Sequence, residues 1–184
     1  NEEAIQRLGV DLTENLNPQL VPALVAEAMK ETAQSGVSES AFTQAFVTTV
    51  SNKIKDISTI DLDNNGFADP ILVIPQNYSE AAEQLQLSIR VPDPVTVTSL
   101  PEPSDQGAWS DIAENRSIEI MNVSAIKEGA EQLAMQAAPN PEMYQNTQPY
   151  YRSPGMSFSD VLLTSLMVNW LMGPRFYGPG FGYY

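Results

Sequence analysis

Asp61-Leu62-Asp63-Asn64-Asn65-Gly66-Phe67-Ala68-Asp69-Pro70-Ile71-Leu72-Val73-Ile74 is the stretch on which the reading of this chain turns. Upstream of it, apolar residues recur at helical spacing. Downstream, they alternate as in strands. Within it, three aspartates fall in nine residues, around an Asn-Gly pair. Asn-Gly flanked by Ile60, Leu62, Phe67 and Ile71 is also a hairpin signal, with a two-residue turn that tolerates positive φ. A plain turn accounts for Asn65 and Gly66. It does not account for three carboxylates that repel one another unless a cation lies between them. Ile71-Leu72-Val73-Ile74 reads as a short buried strand.

The run Asp61-x-Asp63-x-Asn65-Gly66 resembles the D-x-D-x-[DN]-G calcium loops of EF-hands, dockerins and the FG-GAP repeats of integrin-like propellers. Calcium takes six to eight hard oxygen ligands. The resemblance implies side-chain ligands from Asp61, Asp63 and Asn65, a carbonyl ligand from Phe67, and Asp69 binding directly or through water. Gly66 stands where the loop turns sharply. The chain departs from the EF-hand pattern at Leu72, where a bidentate Glu would stand, and Pro70 argues against an immediate helix. The exit into an apolar strand is closer to FG-GAP loops. The likeness covers about thirteen residues and has no second copy, so no propeller is implied. Asp56, Glu80 or Glu83 are candidates for the missing ligands. The implied cofactor is Ca2+ rather than zinc or copper, because the donors are oxygens and the chain has no His and no Cys.

The 184 residues carry 23 acids against 9 bases, a net charge of −14. Phosphate-backbone binding needs clustered Lys and Arg, so nucleic acid is not an expected partner. The acids are scattered rather than ranked, which also argues against a DNA mimic. Without cysteine, disulfides do not form. The chain begins at Asn1 rather than Met, as either a processed mature form or a trimmed chain would. A weak calcium loop fits an extracellular, periplasmic or cell-envelope setting, where calcium is abundant.

Residues 1–15 carry mixed helical spacing and predict a short acidic helix. Asn17-Pro18 opens a clearer one, with Asn as cap and Pro in the first turn. Leu20, Val21, Leu24, Val25, Ala28 and Met29 form its apolar face, and Gly36 closes it. Ser38 or Ser40 caps the next helix, whose stripe is Phe42, Phe46, Val50, Ile54 and Ile57. The two predict a helical hairpin packed stripe to stripe. Residues 78–83 could add one helical turn. Leu85, Leu87, Ile89 and Val91 alternate with polar residues and predict a strand. Val95–Thr98 and Ile118–Val123 predict two more, and residues 101–117 read as irregular, with Trp109 as a packing anchor. Ser124 to Ala138 follows a helical period through Ile126, Ala130, Leu133, Ala134 and Ala137, ending at Pro139-Asn140-Pro141.

The expected fold class is therefore α+β: an N-terminal helical hairpin, a small antiparallel sheet after the calcium-like loop, and a separate hydrophobic C-terminal helix. Residues 1–138 would be the body and 139–155 a linker rich in Pro, Asn, Gln and Tyr. Residues 156–184 would hold the hydrophobic helix and an aromatic, Gly/Pro-rich tail. Ser157 and Asp160 resemble a capping box, and ten apolar residues lie between Phe158 and Met172 before Gly173-Pro174. At ~1.5 Å per residue such a helix is about 22 Å long, shorter than the ~30 Å hydrocarbon core of a bilayer. Five aromatics in the last eleven residues suit a peptide that orders on a partner.

These features predict a non-enzymatic structural or interaction protein. A calcium-stabilised loop would brace the body, and residues 156–184 would dock on a protein partner or a second copy. One alternative is a membrane-surface protein held by the C-terminal segment. Another is a carboxylate-dependent hydrolase, since the absence of His, Cys and a Gly-rich phosphate loop removes the common nucleophile and P-loop arrangements.

Overall fold

The computed structural model describes residues 11–64, 66–76, 84–102, 104–129, 131–145 and 147–159. Asn17 accepts a hydrogen bond from the Gln19 N–H and starts a 3-10 turn, Pro18–Leu20, that runs directly into α1 (Val21–Gln34). Gly36, at φ +77°, turns the chain back as only glycine does without strain. Helix α2 (Glu39–Ile57) then runs against α1. Phe42, Phe46, Val50 and Ile54 are buried as the stripe predicts, but Ile57 is exposed at the helix end. Lys53 of α2 pairs with Glu27 and Glu31 of α1 across the hairpin, at 3.4 and 2.7 Å.

Among the described residues, six antiparallel strands follow: β1 (Leu72–Pro75), β2 (Gln84–Pro92), β3 (Ser117–Gly129), β4 (Gln132–Pro139), β5 (Tyr151–Arg152) and β6 (Met156–Ser157). They lie in the order β1-β2-β3-β4-β5, with β6 also on β4. In-register partners share a face, and successive residues face opposite ways. Val73, Ile89 and Met121 are such partners, and so are Leu87 and Val123, and they join the core under α1 and α2. Leu72 and Ile74 therefore point to the other face. There they meet Val97 and a third helix, α3 (Gln106–Asn115), through Trp109, Ile112 and Ala113.

The sheet corrects the expected fold class, which held only a small one. The largest difference is the helix expected over 124–138. Residues 124–129 complete β3 and residues 132–138 lie in β4, with Val123 opposite Ala137 and Ala125 opposite Met135. Ala, Leu, Met and Gln are good helix formers, so local propensity points the wrong way. Pairing with β2 through β3 buries Leu133, Met135 and Ala137 on one face and overrides it. Residues 101–117, expected to be irregular, hold α3, whose first turn is capped by the Asp105 side chain accepting from the Ala108 N–H at 3.1 Å. Trp109 within it is fully buried and donates its indole N–H to the Glu102 carbonyl at 3.1 Å. Val95–Thr98, expected as a strand, is a turn instead. The Asp93 side chain accepts from the Val95 N–H, and its carbonyl accepts from Thr96 and Val97.

The separate C-terminal helix is not present where it was expected to begin. Met156 and Ser157 pair with Leu133 and Gln132 as β6, and the Gln132 side chain donates to the Ser157 hydroxyl that was to cap the helix. The rest of that expected helix, the helix within 1–15 up to residue 10, and the turn at 78–83 lie outside the described residues. Within 139–155, Met143 and Tyr144 are buried in the main core, and the Tyr144 hydroxyl donates to the Leu16 carbonyl at 2.9 Å. Leu12 donates to the Met143 carbonyl, so this segment also ties down the start of the described chain.

Candidate metal centre

The loop between α2 and β1 is fixed at both ends by burial. Ile60 and Ile71 are completely buried, and the Ser51 hydroxyl of α2 donates to the Ile71 carbonyl at 2.7 Å. At the neck, the Asp69 N–H donates to the Ile60 carbonyl at 2.7 Å. The Thr59 N–H donates to the Asn15 carbonyl on the far side. The backbone between these anchors turns through left-handed conformations at Asn64 (φ +55°) and Gly66 (φ +87°), residue types that tolerate them. No strand precedes the loop among the described residues, so the Asn-Gly pair does not close a hairpin. It shapes a loop that leads from a helix into a strand.

Inside the loop the carboxylates converge. Asp61, Asp63 and Asp69 each offer an oxygen, and these oxygens lie within 4.8 Å of one another. Main-chain N–H groups aim two of the side chains. Gly66 donates to Asp61 Oδ2 and Leu62 donates to Asp69 Oδ2, both at 2.9 Å. Asp63 is exposed, Asp61 is half-buried and Asp69 is only 7% exposed. Burial pushes the Asp69 carboxyl up to about 7; the Leu62 N–H opposes this, the charges of Asp63 and Asp61 add to it, and Lys55 opposes it. A carboxyl that is hard to ionise beside two others is what a cation would relieve. The donors are all hard oxygens, and this cluster could hold a metal ion.

The structure thus brings together three of the five residues expected as ligands. Asn65 lies outside the described residues. Phe67 is in the loop and 76% exposed, and its carbonyl is the oxygen it could offer. Asp56 is exposed on α2 and is not part of the cluster, and Glu80 and Glu83 lie outside the described residues.

Sequence reasoning missed the opposite wall. Asp63 and Asp69 border a cleft of 330 Å3 whose other side is Pro92, at the end of β2, with Pro94, Val97, Thr98, Ser99 and Leu100 from the segment between β2 and α3. Pro92 and Pro94 around an Asp that caps its own turn were the available signal, but nothing local tied that turn to a loop thirty residues earlier. No protein-family model matches this chain, and neither a curated protein nor a solved structure does so.

Proposed function

We propose that the Asp61–Asp69 loop binds calcium and that the ion's role is structural. It would pin the turn from α2 into β1 and offset the charge gathered there. The observation carrying this reading is the convergence of three carboxylates, one of them buried, in a loop spaced like known calcium loops. Asp61, Asp63 and Asp69 would ligate through side chains and Phe67 through its carbonyl, with Asn65 as a further ligand. A loop lacking a bidentate acid at Leu72 belongs with weak sites, with dissociation constants of about 10⁻⁴–10⁻³ M. Such a site fills only where calcium is abundant, hence an extracellular, periplasmic or cell-envelope setting.

The chain as a whole is, on this proposal, a non-enzymatic structural or interaction protein. Of residues 156–184, those beyond strand β6 and the buried Phe158 would dock on a protein partner or a second copy, because so apolar and aromatic a sequence gains most when removed from water. Among the described residues no helix is long and apolar enough to cross a membrane.

Isothermal titration with calcium tests the reading. The expected result is one site per chain in the wild type, and none after Asp63→Asn, an exposed position where the fold should tolerate the change. Absence of binding at millimolar calcium, or equal binding by the variant, would overturn it.

A further inference from the structure

The sheet has a second side, facing away from the helical hairpin. Residues that alternate with the core residues point to it, among them Gln86 on β2, Asn122 and Ser124 on β3, and Gln136 and Ala138 on β4. Among the described helices only α3 packs on this side, at its β1 end, over Leu72 and Ile74. Gln86, Ser124, Gln136 and Arg152 are successive in-register partners, so they form one row across four strands. The amides of the row are half-buried, and Ser124 and Ala134 are buried. The charged residues that β1–β5 bring to this side cancel in pairs. Arg90 lies 3.8 Å from Glu119, and Arg152 donates to Glu128 across β4. A chain that carries −14 therefore has one broad side whose strands contribute no net charge.

We infer that this side of the sheet is an interface between two copies of the chain, packed face to face over β2–β4 about a two-fold axis. Charge selects the partner. Two copies at −14 each repel wherever their acids meet, and here they meet over strands whose charges are already neutralised. Chemistry makes the side self-complementary. An amide carries both donor and acceptor, so Gln86, Asn122 and Gln136 of one copy can pair with the same residues of the other, as an isologous contact requires. Small residues at Ser124, Ala134 and Ala138 let a second sheet approach to the ~10 Å of stacked sheets. Four strands ~4.8 Å apart and about seven residues at ~3.3 Å make a face of roughly 19 by 23 Å. Two such faces total roughly 900 Å2, the size of weak and reversible complexes. The contact is independent of the acidic loop and of calcium.

The test is sedimentation equilibrium of the full chain in EGTA, from micromolar to millimolar concentration, with side-chain amide NMR spectra over the same range. The expected result is a monomer–dimer equilibrium in which the Gln86, Asn122 and Gln136 amide signals shift with concentration, while that of Gln44, exposed on α2, stays in place. Gln136→Glu keeps the side chain's shape and adds a charge to each half of the contact, so it should weaken association about tenfold. Gln44→Glu should leave association unchanged. Higher salt should tighten the dimer, because it screens the repulsion between two acidic chains. A chain that stays monomeric at millimolar concentration would overturn the inference, as would a dimer that salt weakens. Association that Gln136→Glu leaves intact would place the contact elsewhere, residues 160–184 included, and overturn it too. The wild-type amide shifts decide the matter even if the variant folds poorly: stationary signals in a dimerising sample would overturn the inference.

Discussion

Replacing Asp69 by Asn should stabilise the metal-free protein at pH 8 and abolish its response to calcium. Asp69 is 7% exposed, and its carboxyl is pushed from 3.8 to about 7, chiefly by burial. The folded state therefore holds a proton that the unfolded chain has released, throughout the interval from about 4 to about 7. Since stability falls with pH wherever the folded state binds more protons, metal-free wild type should lose stability across that interval and level off above it. The full shift corresponds to about 4 kcal/mol. Asp63 lies exposed in the same loop, and water reaching it should reduce the realised effect to about 2 kcal/mol. Asn keeps an oxygen that can accept from the Leu62 N–H and removes the buried charge. For a chain of 184 residues, about 2 kcal/mol moves the melting temperature by about 4–8 °C. Melting by circular dichroism in EGTA, at pH 5 and pH 8, measures the gain. It should appear at pH 8 and shrink at pH 5, where Asp69 is protonated in the folded wild type. An Asp69→Asn variant that melts no higher than wild type at pH 8, or that still responds to calcium, would refute the reasoning.

Gly66→Ala should destabilise by about 1 kcal/mol through the backbone alone, because φ is +87° and an added Cβ would meet nothing within 4 Å. Gly36→Ala, at φ +77° and equally open, should cause a similar loss, but only the Gly66 change should also weaken calcium binding in a titration. Trp109→Ala should lower stability by about 3–5 kcal/mol, since the ring is fully buried among Leu72, Val97 and Ile112. Urea unfolding should show this as a lower midpoint, and an unchanged midpoint would contradict the placement of α3.

How much of this was legible depended on whether the deciding contacts were local. Helices α1 and α2 could be read because Asn17-Pro18, Gly36 and two apolar stripes agree with one another. Strand β2 could be read because Leu85, Leu87, Ile89 and Val91 alternate inward without ambiguity. Strand β4 could not, because Leu133, Ala134 and Ala137 fit a helical period as well as Leu133, Met135 and Ala137 fit a strand. Only the neighbouring strand chooses between them. Helix α3 was hidden by its Gly107 and by the Pro-containing approach, although its Asp105 cap stood in plain view. The acidic cluster was legible in Asp61, Asp63 and Asp69 because their spacing lies within one loop. The cleft wall at Pro92–Leu100 was not, because the fold alone brings it there.

Thermal melting of wild type and an Asp61→Ala/Asp63→Ala double variant, each with calcium and with EGTA, tests the central claim most directly. A ligand that binds only the folded state stabilises it by about 2.7 kcal/mol at a hundredfold excess over its dissociation constant. For a chain of this length that is a rise of about 5–10 °C. The account predicts this rise in wild type with calcium and none in the double variant. Coincident wild-type melts with calcium and with EGTA would contradict it, as would an equal rise in the double variant.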